Sequence, residues 1–158
     1  MNKVQRWSGR YGLGEEELEP GSARLSAARN NGKCDLNCTA AVISIIEDDG
    51  PVLKSLSRLI RAAGYGVAHF RSAEEFLKCK KYADAACVIL DQGLPGMSGL
   101  ELQVQLAAEN SRVPVIFVSA HDEPEIRARA IENSAIAFIG KPFSAESLLE
   151  AIRSALNK

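Results

Sequence analysis

Five short apolar runs, separated by amphipathic stretches, limit what this chain can become. They occupy residues 42–46, 67–70, 87–90, 115–118 and 136–139. Four are nearly continuous rather than alternating, the pattern of strands buried on both faces of a parallel sheet. Between the runs, apolar residues recur at helical spacing. Val52, Leu56, Leu59, Ile60 and Ala63 mark one face of the first helix, and Leu148, Leu149, Ile152 and Leu156 that of the last. Ser72 with Glu75, and Ser98 with Glu101, have capping-box spacing. Pro51 and Pro124 suit a first helical position. Asp49 and Asp122 stand where N-caps belong, and Gly64 where a helix should stop. Strand–helix alternation of this kind predicts one doubly wound α/β domain. In such sheets ligands bind outside the carboxyl ends of the strands.

The text before Ala41 is different. Gly9, Gly12, Gly14, the acidic run around Glu15 and Glu19, and Pro20-Gly21-Ser22 carry few apolar residues and no period. Residues 1–40 are therefore expected to be a flexible or disordered extension, and residues 41–158 the domain. Residues 23–29 could form a helical turn, and Trp7 and Tyr11 are lone aromatics. Lys plus Arg is 19 against 20 Asp plus Glu, a net charge of −1, which argues against a strongly basic nucleic-acid binder. No run approaches the roughly 18 apolar residues of a membrane span, and the N-terminus lacks the apolar core of a secretory signal. The expectation is a soluble cytoplasmic protein. Cys34 and Cys38 are a lone pair, with His69 and His121 the only histidines, too few ligands at suitable spacing for structural zinc. Cys79 and Cys87 are expected to be reduced.

Chemistry gathers at the predicted strand ends. Glu47-Asp48-Asp49 follows the first run, Asp91 the third, Ser119 the fourth, and Lys141-Pro142 the fifth. One acidic residue after a strand is an ordinary cap. Reactive groups at four strand ends are a site. Clustered carboxylates repel and call for a hard cation with open positions, which suits Mg²⁺, with Mn²⁺ as an alternative. A carboxylate can also accept a phosphoryl group as a mixed anhydride. A cation, an ammonium and a hydroxyl would neutralise the transferring oxygens.

These residues resemble those of the response-regulator receiver domains of two-component signalling. Residues 88–99 (Val-Ile-Leu-Asp-Gln-Gly-Leu-Pro-Gly-Met-Ser-Gly) resemble the family's phosphoacceptor segment, especially in regulators of the nitrogen-fixation type. Residues 117–120 and 138–143 resemble two further motifs of the family. The resemblance implies a flavodoxin-like fold, a five-stranded parallel sheet of order 2-1-3-4-5 with five helices. It implies Asp91 as the phosphorylated residue, and Glu47, Asp48, Asp91 and the Gly93 carbonyl around Mg²⁺, Asp48 being the direct member of the acidic pair. Ser119 would hold a phosphoryl oxygen, and Lys141 would pair with the phosphoryl group. Phe138 would be the aromatic switch that turns inward after Ser119, and Lys141–Pro142 a cis peptide. Glu47, Ser119 and Phe138 stand where Asp, Thr and Tyr are commoner, and Gly93 offers no side chain over the phosphoryl group.

The implied function is a phosphorylation-controlled binding module, not an enzyme, without a DNA-binding output domain in residues 1–158. Its phosphodonor would be a sensor histidine kinase or a phosphotransfer protein. Its output would be a downstream protein bound by the fourth helix, fifth strand and fifth helix, with no direct nucleic acid or membrane contact. A phosphorylation-dependent homodimer is an open alternative. Two rival readings are an aspartyl-phosphate phosphohydrolase and a flavodoxin-like flavin or nucleotide carrier. The first commonly has a second Asp two residues after the nucleophile, where this chain has Gly93. The second needs a phosphate-cradling loop after the first strand, where this chain has Glu47-Asp48-Asp49-Gly50.

Overall fold

Each apolar run becomes a strand: β1 (Val42–Ile46), β2 (Gly66–Phe70), β3 (Cys87–Asp91), β4 (Val115–Ser119) and β5 (Ala137–Gly140). Helices α1 (Gly50–Ala62), α2 (Ala73–Lys78), α3 (Gly99–Ala108), α4 (Pro124–Glu132) and α5 (Ala145–Leu156) alternate with them. The structure, a computed structural model, describes residues 40–80 and 82–158. The expected extension, with Trp7, Tyr11, residues 23–29 and the Cys34/Cys38 pair, lies outside the described residues. The strands form one parallel sheet of order β2-β1-β3-β4-β5.

Strand alternation divides the interior in two. Ile43, Ile45, Ile89, Ile116 and Val118 pack with Leu53, Leu56 and Ile60 of α1 and with Leu148 and Ile152 of α5. On the other face Val42, Ile46, Val88, Leu90 and Phe117 pack with Phe76 of α2, Leu102 and Leu106 of α3 and Ala130 of α4. Phe70, Phe76 and Phe117 have no exposed surface. Burying a side chain of this kind contributes roughly 1.5–3 kcal/mol.

The helix starts show how local chemistry sets the frame. Asp49 caps α1 by accepting from the Val52 N–H at 3.0 Å. Gly64, just past the cap residue Ala63, has φ +92°, a conformation that glycine adopts without strain. Leu53, Leu56, Ser57 and Ile60 of α1 are buried, Val52 and Leu59 pack half-buried against the same core, and of the expected face only Ala63 is exposed. Ser98 and Glu101 form a reciprocal capping box. Ser72 accepts from the Glu75 N–H, but Glu75 reaches one residue further back, to the Arg71 N–H at 2.7 Å. Asp122 does not cap α4. The cap position is Glu123, which makes no side-chain cap bond, and Asp122 is turned onto Arg127 at 2.9 Å.

Candidate functional site

The parallel register brings the ends of β1, β3, β4 and β5 to one edge of the sheet. Glu47 continues β1, its N–H bonded to the Phe70 carbonyl at 3.0 Å, which directs its side chain into the interior at 1% exposure. Its carboxylate accepts from the Asp49 N–H at 3.2 Å and from Lys141 Nζ at 2.8 Å. Burial pushes the Glu47 carboxyl above the usual carboxylate range. The Lys141 hydrogen bond works against that, and the charge of Asp91 adds to it. Asp91 closes β3 at 7% exposure, with Oδ1 3.5 Å from Lys141 Nζ. For Lys141, burial alone would favour loss of the proton. The Glu47 hydrogen bond and the charge of Asp91 outweigh it, and the ammonium is held above its ordinary value. Lys141 is placed by its own N–H, which donates to the Ser119 carbonyl at 2.7 Å, and the following Lys141–Pro142 peptide is cis.

Asp48 is exposed beside this pair. Glu47, Asp48 and Asp91 each offer a carboxylate oxygen within 4.8 Å of the others. One ammonium faces three carboxylates, two of them buried, so the cluster carries uncompensated negative charge. All three donors are hard oxygens, and the residues present fit a Mg²⁺-type ion better than a soft one. Asp49 takes no part, since its carboxylate is committed to the α1 cap.

Two glycines shape the surroundings of Asp91. A Cβ on Gly93 would lie 3.6 Å from Asp91 Oδ2, so any side chain there would lean over the carboxylate. A Cβ on Gly99 would lie 2.9 Å from both the Asp91 carbonyl oxygen and the Phe117 ring. The first residue of α3 is thus pressed against the strand end, and only glycine fits. The 92–98 loop that leaves Asp91 and returns there is tied down further by Glu74 of α2, which accepts from the Met97 N–H at 3.0 Å.

Ser119 and Phe138, the expected switch pair, are both buried. Ser119 is buried, and its hydroxyl donates to the His121 carbonyl at 2.8 Å while accepting from the His121 N–H at 3.1 Å. The hydroxyl is engaged by its own loop and not by Asp91. Phe138 is already inside, 8% exposed, stacked on Phe117 at 5.8 Å, with the Arg127 guanidinium over its ring at 5.3 Å. Inward rotation is not required to bury it. With no hydroxyl to keep hydrated, the ring loses nothing polar by staying in.

Two residues that sequence reading missed take structural roles near the site. Glu74 is one of two adjacent acids in the first turn of α2; Glu75 is marked by its capping-box spacing from Ser72, and nothing local marks Glu74. Gln103 is a polar residue beside the apolar stripe of α3, an interruption that could have drawn notice. Its amide donates at 3.1 Å to both the Ala130 and Asn133 carbonyls of the α4 end.

A family model described as the response regulator receiver domain matches residues 43–153. The chain belongs to the response regulator receiver domain family. This receiver is 42% identical over 125 residues to the response regulator protein TmoT of Ectopseudomonas mendocina, covering 79% of the chain and 57% of TmoT. It resembles the structure of the response regulator StyR at TM-score 0.70 and 37% identity, covering 75% of this chain and 60% of that one. It resembles FixJ-N at TM-score 0.68 and 31% identity, covering 74% and 94%. The chain spans little more than half the length of the curated relatives it matches. The receiver acts within two-component signalling, and its fold is the five-stranded doubly wound sheet expected from the sequence. Among the described residues no helix is long and apolar enough to cross a membrane.

Proposed function

We propose that this receiver takes a phosphoryl group onto Asp91 from a histidine kinase or phosphotransfer protein, with Mg²⁺ bound by Glu47, Asp48, Asp91 and the Gly93 carbonyl. The observation that carries the reading is the triad at the sheet edge. Lys141 Nζ is shared between buried Glu47 and the strand-end Asp91, with exposed Asp48 beside them. An Asp91 carboxylate oxygen attacks phosphorus, the P–N bond to the donor imidazole breaks, and the imidazole leaves with its electron pair and takes up a proton. Lys141 stands within reach of the new phosphoryl oxygens. A bound divalent ion supplies further charge neutralisation at the same place. Gly93 leaves the face of Asp91 open to the donor. Loss of the phosphoryl group is attack by water on the same phosphorus. The chain acts as a phosphoacceptor and not as an enzyme on an external substrate.

The output follows from Ser119. A phosphoryl oxygen on Asp91 competes with the His121 carbonyl for the Ser119 hydroxyl. If the hydroxyl turns, the 119–123 loop and the start of α4 lose their tie. The partner surface is the face of α4, β5 and α5, with Phe138 as a shelf beneath Arg127. It binds a downstream protein, or a second phosphorylated copy, in the cytoplasm, with no direct nucleic acid or membrane contact. The test is intact-mass measurement after phosphoramidate with Mg²⁺. One phosphoryl mass is expected on the wild type and none on Asp91→Asn. Label retained at Asp48 or Asp49 in that variant overturns the assignment.

A further inference from the structure

α4 has the fewest buried residues of the five helices. Of its nine residues only Ala130 is buried, with Ile126 partly packed. At its start the cap residue makes no side-chain bond, and the Asp122–Arg127 pair is exposed on both sides, a type of contact that contributes little. Its far end is held in another way. Gln103 of α3, 4% exposed, places Nε2 3.1 Å from the carbonyl oxygens of Ala130 and Asn133. Carbonyls of a last helical turn lack i+4 partners; that of Ala130 also accepts from the Ala135 N–H at 2.9 Å, and the Gln103 amide adds a second bond there and one at Asn133. Its Oε1 is buried with no partner. Leaving an acceptor bare is costly, and the donor end must justify the placement. The flipped amide would set its oxygen against two carbonyl oxygens, so this orientation is the one that holds.

We propose that Gln103 is a positioning residue for α4. It pins the C-terminal end, so that release of the Ser119–His121 tie moves the N-terminal half alone. That half carries Arg127, and it adjoins the 119–123 loop where the change begins. A helix pinned at one end and loosely held at the other responds as a swing about its last turn and not as a translation. The device converts a small hydroxyl movement into a larger displacement at Arg127, and it keeps the Ala130 contact with the core throughout. This inference rests on the α4 output face proposed above.

The test uses the full chain, with Gln103→Met as the variant and Gln103→Leu as a second apolar replacement in case the first fails to fold. Amide hydrogen exchange should be at least tenfold faster for residues 133–135 in the variant, with phosphoryl uptake on Asp91 unchanged. In wild type, beryllofluoride with Mg²⁺ should shift residues 119–128 strongly and residues 130–135 little. In the variant the shifts should spread through residue 135. Wild-type exchange protection in the variant overturns the pin. Shifts in wild type as large at 130–135 as at 119–128 overturn the pivot. If the wild type takes no label, the phosphoacceptor reading falls instead, and the exchange comparison still decides whether Gln103 holds the helix.

Discussion

Mg²⁺ should raise the thermal stability of this domain, and Asp48→Asn should remove the gain. Glu47, Asp48 and Asp91 come together only when β1 and β3 pair, so the unfolded chain has no equivalent site. An ion that binds the native state alone stabilises it by RT ln(1 + [L]/Kd), about 1.4 kcal/mol at ten times Kd and about 2.7 kcal/mol at a hundred times. For a domain of this size the smaller figure corresponds to a rise in melting temperature of roughly 4–6 °C. The cluster's own composition predicts the sign, because a cation relieves repulsion that a single ammonium leaves uncompensated. Asp48 is the informative position. It is exposed, and without metal the Asn variant should be no less stable than wild type, since it removes one of the repelling charges. Glu47 and Asp91, by contrast, are partners of Lys141, and changing either would mix two effects. The assay is a melting curve over a MgCl₂ titration, against NaCl at matched ionic strength to remove general screening. An equal rise in Asp48→Asn, or none in wild type up to concentrations where a metal-binding signal has saturated, refutes the reasoning.

Phe138→Ala should destabilise the fold by about 3 kcal/mol, since it empties a nearly buried ring position between Phe117 and Arg127, and urea unfolding would measure it. Glu74 and Glu101 are held below their ordinary value of 4.5, first by the Met97 and Ser98 N–H groups respectively. Their contribution is complete above pH 4.5 and is lost as pH falls through the lowered values, so Glu101→Gln should flatten that acid limb of a stability–pH curve. Gly96→Ala should loosen the phosphoacceptor loop and speed exchange of the Met97 amide. At φ +78° the new Cβ would lie 2.8 Å from Glu74 Oε1, and the carboxylate would have to leave Met97.

The strands could be read from sequence because burial on both faces leaves a continuous apolar signature. The charged site could be read because strand ends in such a sheet point one way. The stripe of α1 is wider than the sequence face, because Val52 and Leu53 are both apolar and packing on the sheet buries Leu53 fully and Val52 in part. Asp122 looked like a cap by spacing, but Arg127 one turn on competes for the same carboxylate. The hydroxyl of Ser119 has a partner fixed by the path of the loop at His121, which has no local signature. Gln103 and Glu74 act on residues 27 to 30 and 23 positions away. Such contacts are consequences of topology, and periodicity carries no trace of them.

The sheet is also a partition with evolutionary consequences. Ile116 and Phe117 are neighbours in sequence, yet they lie in different cores, one with α1 and α5 and the other with α2, α3 and α4. Substitutions on opposite sides of such a wall share few contacts, and their effects should add. Phe117, Phe138 and Ala130 all belong to one side. The α4 part of the proposed partner face rests on that side and its α5 part on the other, so each can be retuned toward a new listener with little effect on the other. A lineage that duplicated this gene could therefore change what hears the signal in separate steps, one on each side of the sheet, without one step undoing the other.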